Sequence, residues 1–333
     1  MSNGTRLTHE ICSTMLATMM GSQTMHGMAT RYMMTLVLSC LPLLAVVGNT
    51  LVILSVAMFS HMQTLTNAFV VSLAVADLCV ATLVMPYDIY MNFTNRVWSL
   101  GRTSCLVAHS FCVMTCTASI YNLCCLALDR YLAMCRPFLR LSSSVAVALL
   151  LACWLMPALL SFVPIMNRWN HIDIDDVVHC MHVLKQGQDC ELVFNRRFAL
   201  VGFVVAFLVP LLLMGILNWR IYLAAARHLK EVVHVQKVGA GRRDSKTQNE
   251  RIAKALGIIM ACFGVCWSPF FVCGVVNPFV RYTIPHDLWT FAKWAGFVNS
   301  VINPLLLYSF NKRFHRAFCR LLNSFVLCSR RKR

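Results

Sequence analysis

The chain has 333 residues, of which 58% are hydrophobic and only 13% are charged. Because a soluble globular protein carries about 25% charged residues, this composition excludes an ordinary soluble domain and indicates a membrane protein. The formal net charge of +17 is concentrated in a few segments, so we attribute it to membrane topology and expect no nucleic-acid partner.

Seven apolar segments are long enough to cross a bilayer, which takes about 20 residues in a helix. The alternating pattern of a β-barrel is absent, so helices are the expected spanning elements. The sequence therefore predicts an all-α membrane protein, a seven-transmembrane helix bundle over residues 33–310 with a short amphipathic helix after the last span. The predicted spans are 33–58, 67–91, 104–128, 144–166, 199–224, 252–276 and 288–310.

The distribution of basic residues predicts the orientation of these spans. Lys and Arg gather at 130–140, 220–254 and 312–333, and such segments stay in the cytoplasm. With seven spans, the tail 1–32 is then extracellular, and 311–333 forms a cytoplasmic helix and basic tail. We expect a multi-pass protein of the plasma membrane, without a cleavable signal peptide. The sequon at Asn3 is a candidate glycosylation site in the external tail.

Polar residues inside the predicted spans are candidate functional residues, because an ionisable group is costly there. Asp77 lies in the middle of the second span, and hydroxyl or amide groups lie in the third and seventh. A carboxylate with neutral oxygen neighbours suits a hard cation such as Na⁺. Hydrogen bonding between helices would explain the same residues without an ion, and the residues alone leave both interpretations open. The neutral members of the set are Ser119, Asn299, Ser300 and Asn303.

Seventeen cysteines are present, and most lie in the predicted spans, where a free thiol acts as a small apolar group. Cys12, Cys105, Cys180 and Cys190 are expected on the oxidising side of the membrane. They form an even set that is able to make disulfide bridges.

Seven motifs occur in order along the chain, and together they resemble the rhodopsin-class G-protein-coupled receptors. They are Gly48-Asn49, LAVAD ending at Asp77, Asp-Arg-Tyr at 129–131, Trp154, Pro210, CWSP at 266–269 and Asn303-Pro304. The resemblance extends from about residue 33 to residue 320. Stretches such as TASIYNLCCLALDRYLAM and NKRFHRAF are similar to the aminergic branch, particularly type-4 serotonin receptors and trace amine-associated receptors.

This resemblance implies a receptor, not an enzyme. Its expected partners are an extracellular small-molecule ligand, a heterotrimeric G protein at Asp129, Arg130 and Tyr131, and membrane lipid. It implies no cofactor apart from an allosteric sodium ion, held by Asp77 and its four neutral neighbours. It also implies a disulfide between Cys105 and Cys190, which leaves Cys180 for a second bridge to Cys12.

The sequence departs from the aminergic pattern at the usual anchor for the ligand amine. That family places an aspartate seven residues after the bridging cysteine, and Cys112 stands there with a neutral thiol. Two charged residues remain near the predicted mouth. Asp88 is a candidate amine anchor, Asp88 and Lys293 are a candidate structural pair, and Lys293 with His109 is a candidate anion site. All three interpretations stay open.

An aromatic floor is expected below this mouth. Trp267, Phe270 and Phe271 suit an apolar or ring-bearing ligand, although ordinary core packing gives the same pattern. Retinal is not expected, because the position of the opsin lysine corresponds to Phe297. Phe297 and Cys112 are themselves candidate ligand contacts.

At three positions the chain lacks the residues that the family uses to switch between its inactive and active states. Asn218 and Leu307 replace tyrosines, and Tyr308 follows the second of these positions. Asn249 replaces an acid at the foot of the sixth span, and Glu250 is displaced by about 100° around the helix. Because the Asp-Arg-Tyr motif is intact, we expect coupling to a G protein. The substitutions leave two outcomes open, raised basal activity from a loosened inactive state or weak coupling from an unsupported active state.

The leading hypothesis is a receptor that signals the binding of a trace-amine-like or other chemosensory ligand to a G protein. The alternatives are a non-signalling seven-helix protein, such as a ligand sink or dimer partner, and a receptor for an anionic or uncharged amphipathic ligand.

Overall fold

The computed structural model describes residues 12, 28–94, 96–136, 138–139, 141–184, 186, 188, 190–234 and 240–331. These residues form helices and connecting loops, with no strand among them. The predicted all-helical fold is therefore confirmed for the described part of the chain. Asn3 lies outside it, as does the side chain of Asn249.

Among the described residues, eight main helices follow one another. They are α1 (Met28–Met58), α2 (Leu65–Phe93), α3 (Arg102–Cys135), α4 (Ser143–Met166), α5 (Arg196–Gly202, Phe203–Leu208 and Val209–His234 in succession), α6 (Ala240–Val276), α7 (His286–Phe310) and α8 (Lys312–Arg331). Single 3₁₀ turns lie at Ser60–Met62 and Trp169–His171, and a loop helix at Asp175–Leu184 lies between α4 and α5.

Six of these helices are long and apolar enough to cross a membrane, and they overlap the first six predicted spans. These spans are Tyr32–Met58, Leu65–Phe93, Arg102–Cys135, Ser143–Met166, Arg196–Ala226 and Gly257–Val276. Helix α7 overlaps the seventh predicted span but is not among the six, and it includes Asp287, Lys293 and several amides. Helices α3 and α6 extend beyond the predicted apolar limits, because backbone hydrogen bonding continues into the polar flanks.

Helices α2 and α5 each contain a π-helical segment, at Val80–Val84 and Phe203–Leu208. A proline follows each segment, Pro86 in α2 and Pro210 in α5. Proline cannot donate to the carbonyl four residues earlier, and that carbonyl lies inside the π-helical segment in both helices. Each segment therefore accommodates a lost hydrogen bond, and it changes which side chains face the bundle interior.

Close backbone approach and buried polar bonds hold the helices together. A Cβ atom on Gly48 of α1 would come within 2.7 Å of Cγ of Pro304 in α7, so only glycine fits this contact. Beside it, the amide nitrogen of Asn49 donates to the carbonyl oxygen of Ser300 over 3.0 Å. Small residues and interhelical hydrogen bonds of this kind commonly stabilise the packing of helices in membrane bundles. They fix α7 against α1, and with it the polar residues that α7 carries.

Candidate ligand-binding site

A cavity of about 1320 Å³ lies among the helices, beneath the loop helix. Its walls come mainly from α2, α3, α5, α6 and α7, and the segment 190–195 covers part of it. All eight residues predicted to contact a ligand line this cavity. They are Asp88, His109, Cys112, Trp267, Phe270, Phe271, Lys293 and Phe297. The volume is ample for one small organic molecule.

One side of the cavity is aromatic. Phe271 stacks on Phe207 of α5 with ring centroids 4.7 Å apart, and Phe270 lies between Trp267 at 5.9 Å and Trp289 at 5.6 Å. Rings at these separations support one another in stacked or edge-to-face arrangements. A flat aromatic or apolar group of a ligand can therefore pack against several ring faces and edges of this wall. The contributions of α5 and of Trp289 were not foreseen from the sequence.

Asp88 on α2 is buried, with 3% of its surface exposed, and it faces α7. Its carboxylate accepts hydrogen bonds from the Lys293 ammonium, from Nε1 of Trp294 at 2.6 Å and from Nδ2 of Asn92 at 3.3 Å. Three donors therefore occupy both carboxylate oxygens. This is the arrangement of the structural-pair alternative, and it leaves Asp88 poorly placed to receive a ligand ammonium.

Cys112 on α3 is half-buried at the cavity wall, where the aminergic pattern would place an acid. Cys116 is buried one helical turn further along α3 and also lines the cavity. Near Cys112, the described residues of the cavity wall present sulfur and aromatic side chains, and none of them presents a carboxylate.

Two disulfides attach the chain between α4 and α5 to other parts of the molecule. Cys105 at the start of α3 is bonded to Cys190, and Cys12 is bonded to Cys180 of the loop helix. Both expected pairings are thus present. His109 lies 3.5 Å from the Cys190 sulfur through Nε2, and the Tyr87 hydroxyl donates to the Cys190 carbonyl oxygen over 3.1 Å. His109 therefore helps to position the loop segment.

Polar contacts at the cavity mouth join residues that are far apart in sequence, so the sequence does not predict them. Arg96 forms a salt bridge of 2.9 Å with Glu191, beside the disulfide at Cys190. The Tyr282 hydroxyl donates to the Phe194 carbonyl oxygen over 2.9 Å, and burial raises the pKa of this tyrosine to about 12. Tyr282 is therefore a neutral donor at physiological pH, and its bond connects the α6–α7 loop to the segment covering the cavity.

A second polar cluster surrounds Asp77, deeper in the bundle. Its carboxylate accepts hydrogen bonds from Ser119 at 3.1 Å, from Ser300 at 2.8 Å and from Asn303 at 2.8 Å. Asn299 is buried nearby on α7, and its amide oxygen has no hydrogen-bond partner among the described residues. The amide oxygen of Asn303 is also buried without a hydrogen-bond partner among the described residues. Four of the five predicted sodium ligands are therefore in direct contact, and two buried oxygens remain to be satisfied.

The Asp-Arg-Tyr motif ends the buried part of α3. Asp129 accepts a hydrogen bond of 2.7 Å from Thr66 of α2 and lies 3.5 Å from the Arg130 guanidinium. In this arrangement the aspartate holds the arginine beside α2. Thr66 was not foreseen from the sequence, because it lies 63 residues before its partner.

The substituted switch positions have new partners. The Asn218 amide contacts the Met260 sulfur across α5 and α6. Leu307 is half-buried against the core, while the ring of the neighbouring Tyr308 lies tilted against His315 of α8 with ring centroids 4.4 Å apart. The tyrosine is therefore held at the α7–α8 junction.

The chain is similar in sequence to known proteins. The family model for the 7 transmembrane receptor (rhodopsin family) matches residues 48–308. The chain is 40% identical over 303 residues to 5-hydroxytryptamine receptor 4 of Cavia porcellus, covering 86% of this chain and 78% of that receptor. It is 31% identical to Trace amine-associated receptor 1 of Macaca mulatta, covering 84% of each, and 31% identical to the D(1A) dopamine receptor of Xenopus laevis, covering 87% and 72%.

Proposed function

Because the chain belongs to the rhodopsin family of 7 transmembrane receptors, we propose that it binds a small aromatic amine and signals to a heterotrimeric G protein. The observation that carries this proposal is the 1320 Å³ cavity with its aromatic wall. The names of its relatives point to serotonin, dopamine and trace amines as the related ligand class. The receptor acts at the plasma membrane, with the cavity open to the outside.

This function requires α7 as the seventh span and an extracellular N-terminus. The contact of Gly48 with Pro304 supports α7 as a full member of the bundle. Helix α8 packs on α1 and α7, and its Phe314 is fully buried. Its many Lys and Arg residues suit the anionic inner surface of the membrane, so it lies there as an amphipathic cytoplasmic helix.

Recognition of the ligand begins with its ring. Trp267, Phe270 and Phe271 present an extended aromatic surface, and an ammonium group near such faces gains cation–π attraction of about 0.5–2 kcal/mol. Asp88 and Lys293 shape the mouth as a pair, since the carboxylate already accepts three hydrogen bonds. A ligand therefore gains little from replacing either member of the pair.

Signal transfer uses the opposite end of α3. A ligand acts by binding the active arrangement more tightly than the inactive one. In the active arrangement α6 moves outward, Arg130 leaves Asp129, and its guanidinium contacts the G protein.

A sodium ion at Asp77 stabilises the inactive state in this proposal. The cluster fits such an ion, because it combines one carboxylate with neutral oxygens and because the amide oxygens of Asn299 and Asn303 lack other partners. Oxygen donors of this kind suit a hard cation. The ion would hold α2, α3 and α7 together.

The test is G-protein activation in cells that express the chain, with aryl ethylamines, anionic amphipaths and uncharged ring compounds as probes. Aryl ethylamines are expected to activate, and Phe271→Ala is expected to lower their potency about tenfold, equivalent to about 1.4 kcal/mol. Phe111→Ala is the matched control, since Phe111 packs on Phe162 between α3 and α4. Activation by anions alone, lost in Lys293→Ala, would contradict the amine proposal. If no probe activates a G protein although the chain is expressed normally at the cell surface, the proposed signalling function is contradicted.

A further inference from the structure

Two thiols of the cavity wall form a pair that the proposed function leaves unused. Cys112 and Cys116 are four residues apart on α3, and both line the cavity. Residues at this spacing lie on one helix face with Cβ atoms about 5–6 Å apart. The two sulfur atoms therefore face the same point on the cavity wall.

A pair of thiolates at this spacing is suited to coordinate a soft metal cation, and it is less suited to react with an organic electrophile. Soft sulfur ligands select ions such as Cu⁺, and a d¹⁰ ion such as Cu⁺ or Ag⁺ accepts two thiolates in a nearly linear arrangement. With metal–sulfur bonds of about 2.3 Å, as in zinc thiolates, the sulfur atoms need a separation of about 4.6 Å, which small rotamer changes supply. Thiols in apolar surroundings stay protonated and unreactive towards electrophiles, whereas a coordinated cation favours their deprotonation.

We propose that Cys112 and Cys116 bind one soft monovalent cation and that the resulting complex is the anionic anchor for the ligand ammonium. On binding, each thiol releases one proton to solvent, two sulfur–metal bonds form, and the metal keeps its +1 oxidation state. Two thiolate charges and one cation leave a net charge of −1. This is the charge of the aspartate that the aminergic pattern places at the position of Cys112. The inference rests on the proposed amine-receptor function.

The surroundings support an anchor at this point of the wall. Three acids line the cavity, Asp88, Glu191 and Asp287. Asp88 is paired with Lys293 and Glu191 with Arg96, while Asp287 lies 3.9 Å from His286. The metal–thiolate complex therefore supplies a negative charge that these acids do not offer to the ligand. Phe270 and Phe271 line the same cavity and provide ring faces for an ammonium held there.

The experiment measures G-protein nucleotide exchange in membranes containing the full-length receptor, with 2-phenylethylamine as agonist and Ag⁺ as the metal probe in chloride-free buffer. Ag⁺ is expected to lower the agonist concentration for half-maximal response at least tenfold. The shift is expected to vanish in Cys112→Ser/Cys116→Ser. It is expected to remain in Cys125→Ser/Cys153→Ser, which removes a thiol contact of 3.5 Å between α3 and α4.

Binding is measured separately on purified protein. The native receptor is expected to hold one more equivalent of Ag⁺ than the Cys112→Ser/Cys116→Ser variant, and Ag⁺ is expected to protect both cysteines from alkylation. Equal stoichiometry with unprotected thiols would overturn the metal site. A shift in agonist potency that persists in this double variant would assign the effect to other thiols and overturn the inference.

Cys112→Asp separates this inference from the proposed function. It supplies a carboxylate directly, so it is expected to respond to 2-phenylethylamine without metal. If Cys112→Asp responds while Ag⁺ has no effect on the native receptor, the metal anchor is wrong and the amine-receptor function stands. If Cys112→Asp reaches the cell surface and is silent, as is the native receptor with Ag⁺, the amine-receptor function itself is wrong.

Discussion

The indole nitrogen of Trp294 donates a hydrogen bond of 2.6 Å to Asp88, next to the ammonium of Lys293. The aspartate is on α2 and both donors are on α7, so a single buried carboxylate joins the two helices at the cavity mouth. Removing one partner of such a pair leaves an uncompensated charge, whereas replacing both with apolar groups is often neutral.

Lys293→Ala is therefore expected to lower receptor stability by about 3–5 kcal/mol, the usual cost of breaking a buried ion pair. The measurement is the apparent thermal unfolding midpoint of purified protein, together with surface expression. The double variant Asp88→Leu/Lys293→Met is expected to recover most of the loss. Arg197→Ala is the control, because this exposed residue also lines the cavity. Equal stability of Lys293→Ala and the native receptor would contradict a structural role for the pair.

Gly296→Ala is expected to displace the Trp267 ring. A Cβ atom on Gly296 would lie 2.9 Å from the nearest ring carbon, which is too close for carbon atoms in contact. Overpacking of this kind costs about 1–3 kcal/mol, and we expect lower thermal stability together with a changed agonist potency. At Gly274, which lines the cavity as Trp267 does, the nearest atom would be 3.9 Å away, so Gly274→Ala is the matched control. Identical effects of the two substitutions would argue against a tight contact at Gly296.

Asp77→Asn is expected to abolish the effect of sodium on the receptor. In the native protein, replacing Na⁺ with a large organic cation is expected to raise agonist affinity at least about fivefold, the lower end of typical coupling between two sites. The variant should bind agonist equally in both buffers, because a neutral amide does not replace the carboxylate as a cation ligand. Ser161→Ala serves as the control, since this buried hydroxyl bonds within its own helix. Sodium sensitivity that survives in Asp77→Asn would place the ion elsewhere.

Asp129→Asn is expected to raise ligand-independent G-protein turnover. The substitution removes the charge that holds Arg130 at 3.5 Å, and partly exposed ion pairs contribute about 0.2–1 kcal/mol. The expected increase is about 1.4- to 5-fold, measured as basal nucleotide exchange per surface receptor. Thr66→Val removes only the neutral donor to Asp129 and should give a smaller increase. Unchanged or reduced basal exchange in Asp129→Asn would show that this ion pair does not restrain the receptor.

The family and the helical architecture could be predicted from the sequence because both depend on local pattern. Long apolar runs form helices in a membrane, and the motifs around Asp77, Arg130 and Asn303 have characteristic spacing. Comparison with known receptors confirms that family. Both disulfides were also expected, because the resemblance to the family implies the Cys105–Cys190 bridge and leaves Cys180 for Cys12. The extent of α7 was expected as well, although its crossing of the membrane stays a prediction.

The partners within the site could not be predicted in the same way. Lys293 lies 205 residues from Asp88, so the sequence left three roles open for these two charges. The contribution of Trp294 depends on the rotation of α7, which the contact of Gly296 with Trp267 helps to fix. The contact of Asn92 with Asp88 could have been predicted, because Asn92 lies four residues after Asp88 and hence on the same helix face.

The two disulfides have a consequence for the kinetics of ligand exchange. They hold the α4–α5 connection at Cys180 and at Cys190, so this cover cannot swing fully away from the bundle. The portal through which a ligand passes therefore has a nearly constant perimeter. Two ligands that fill the cavity equally well would then differ in association rate according to their widest cross-section. Large ligands would equilibrate slowly, and once inside they would have long residence times.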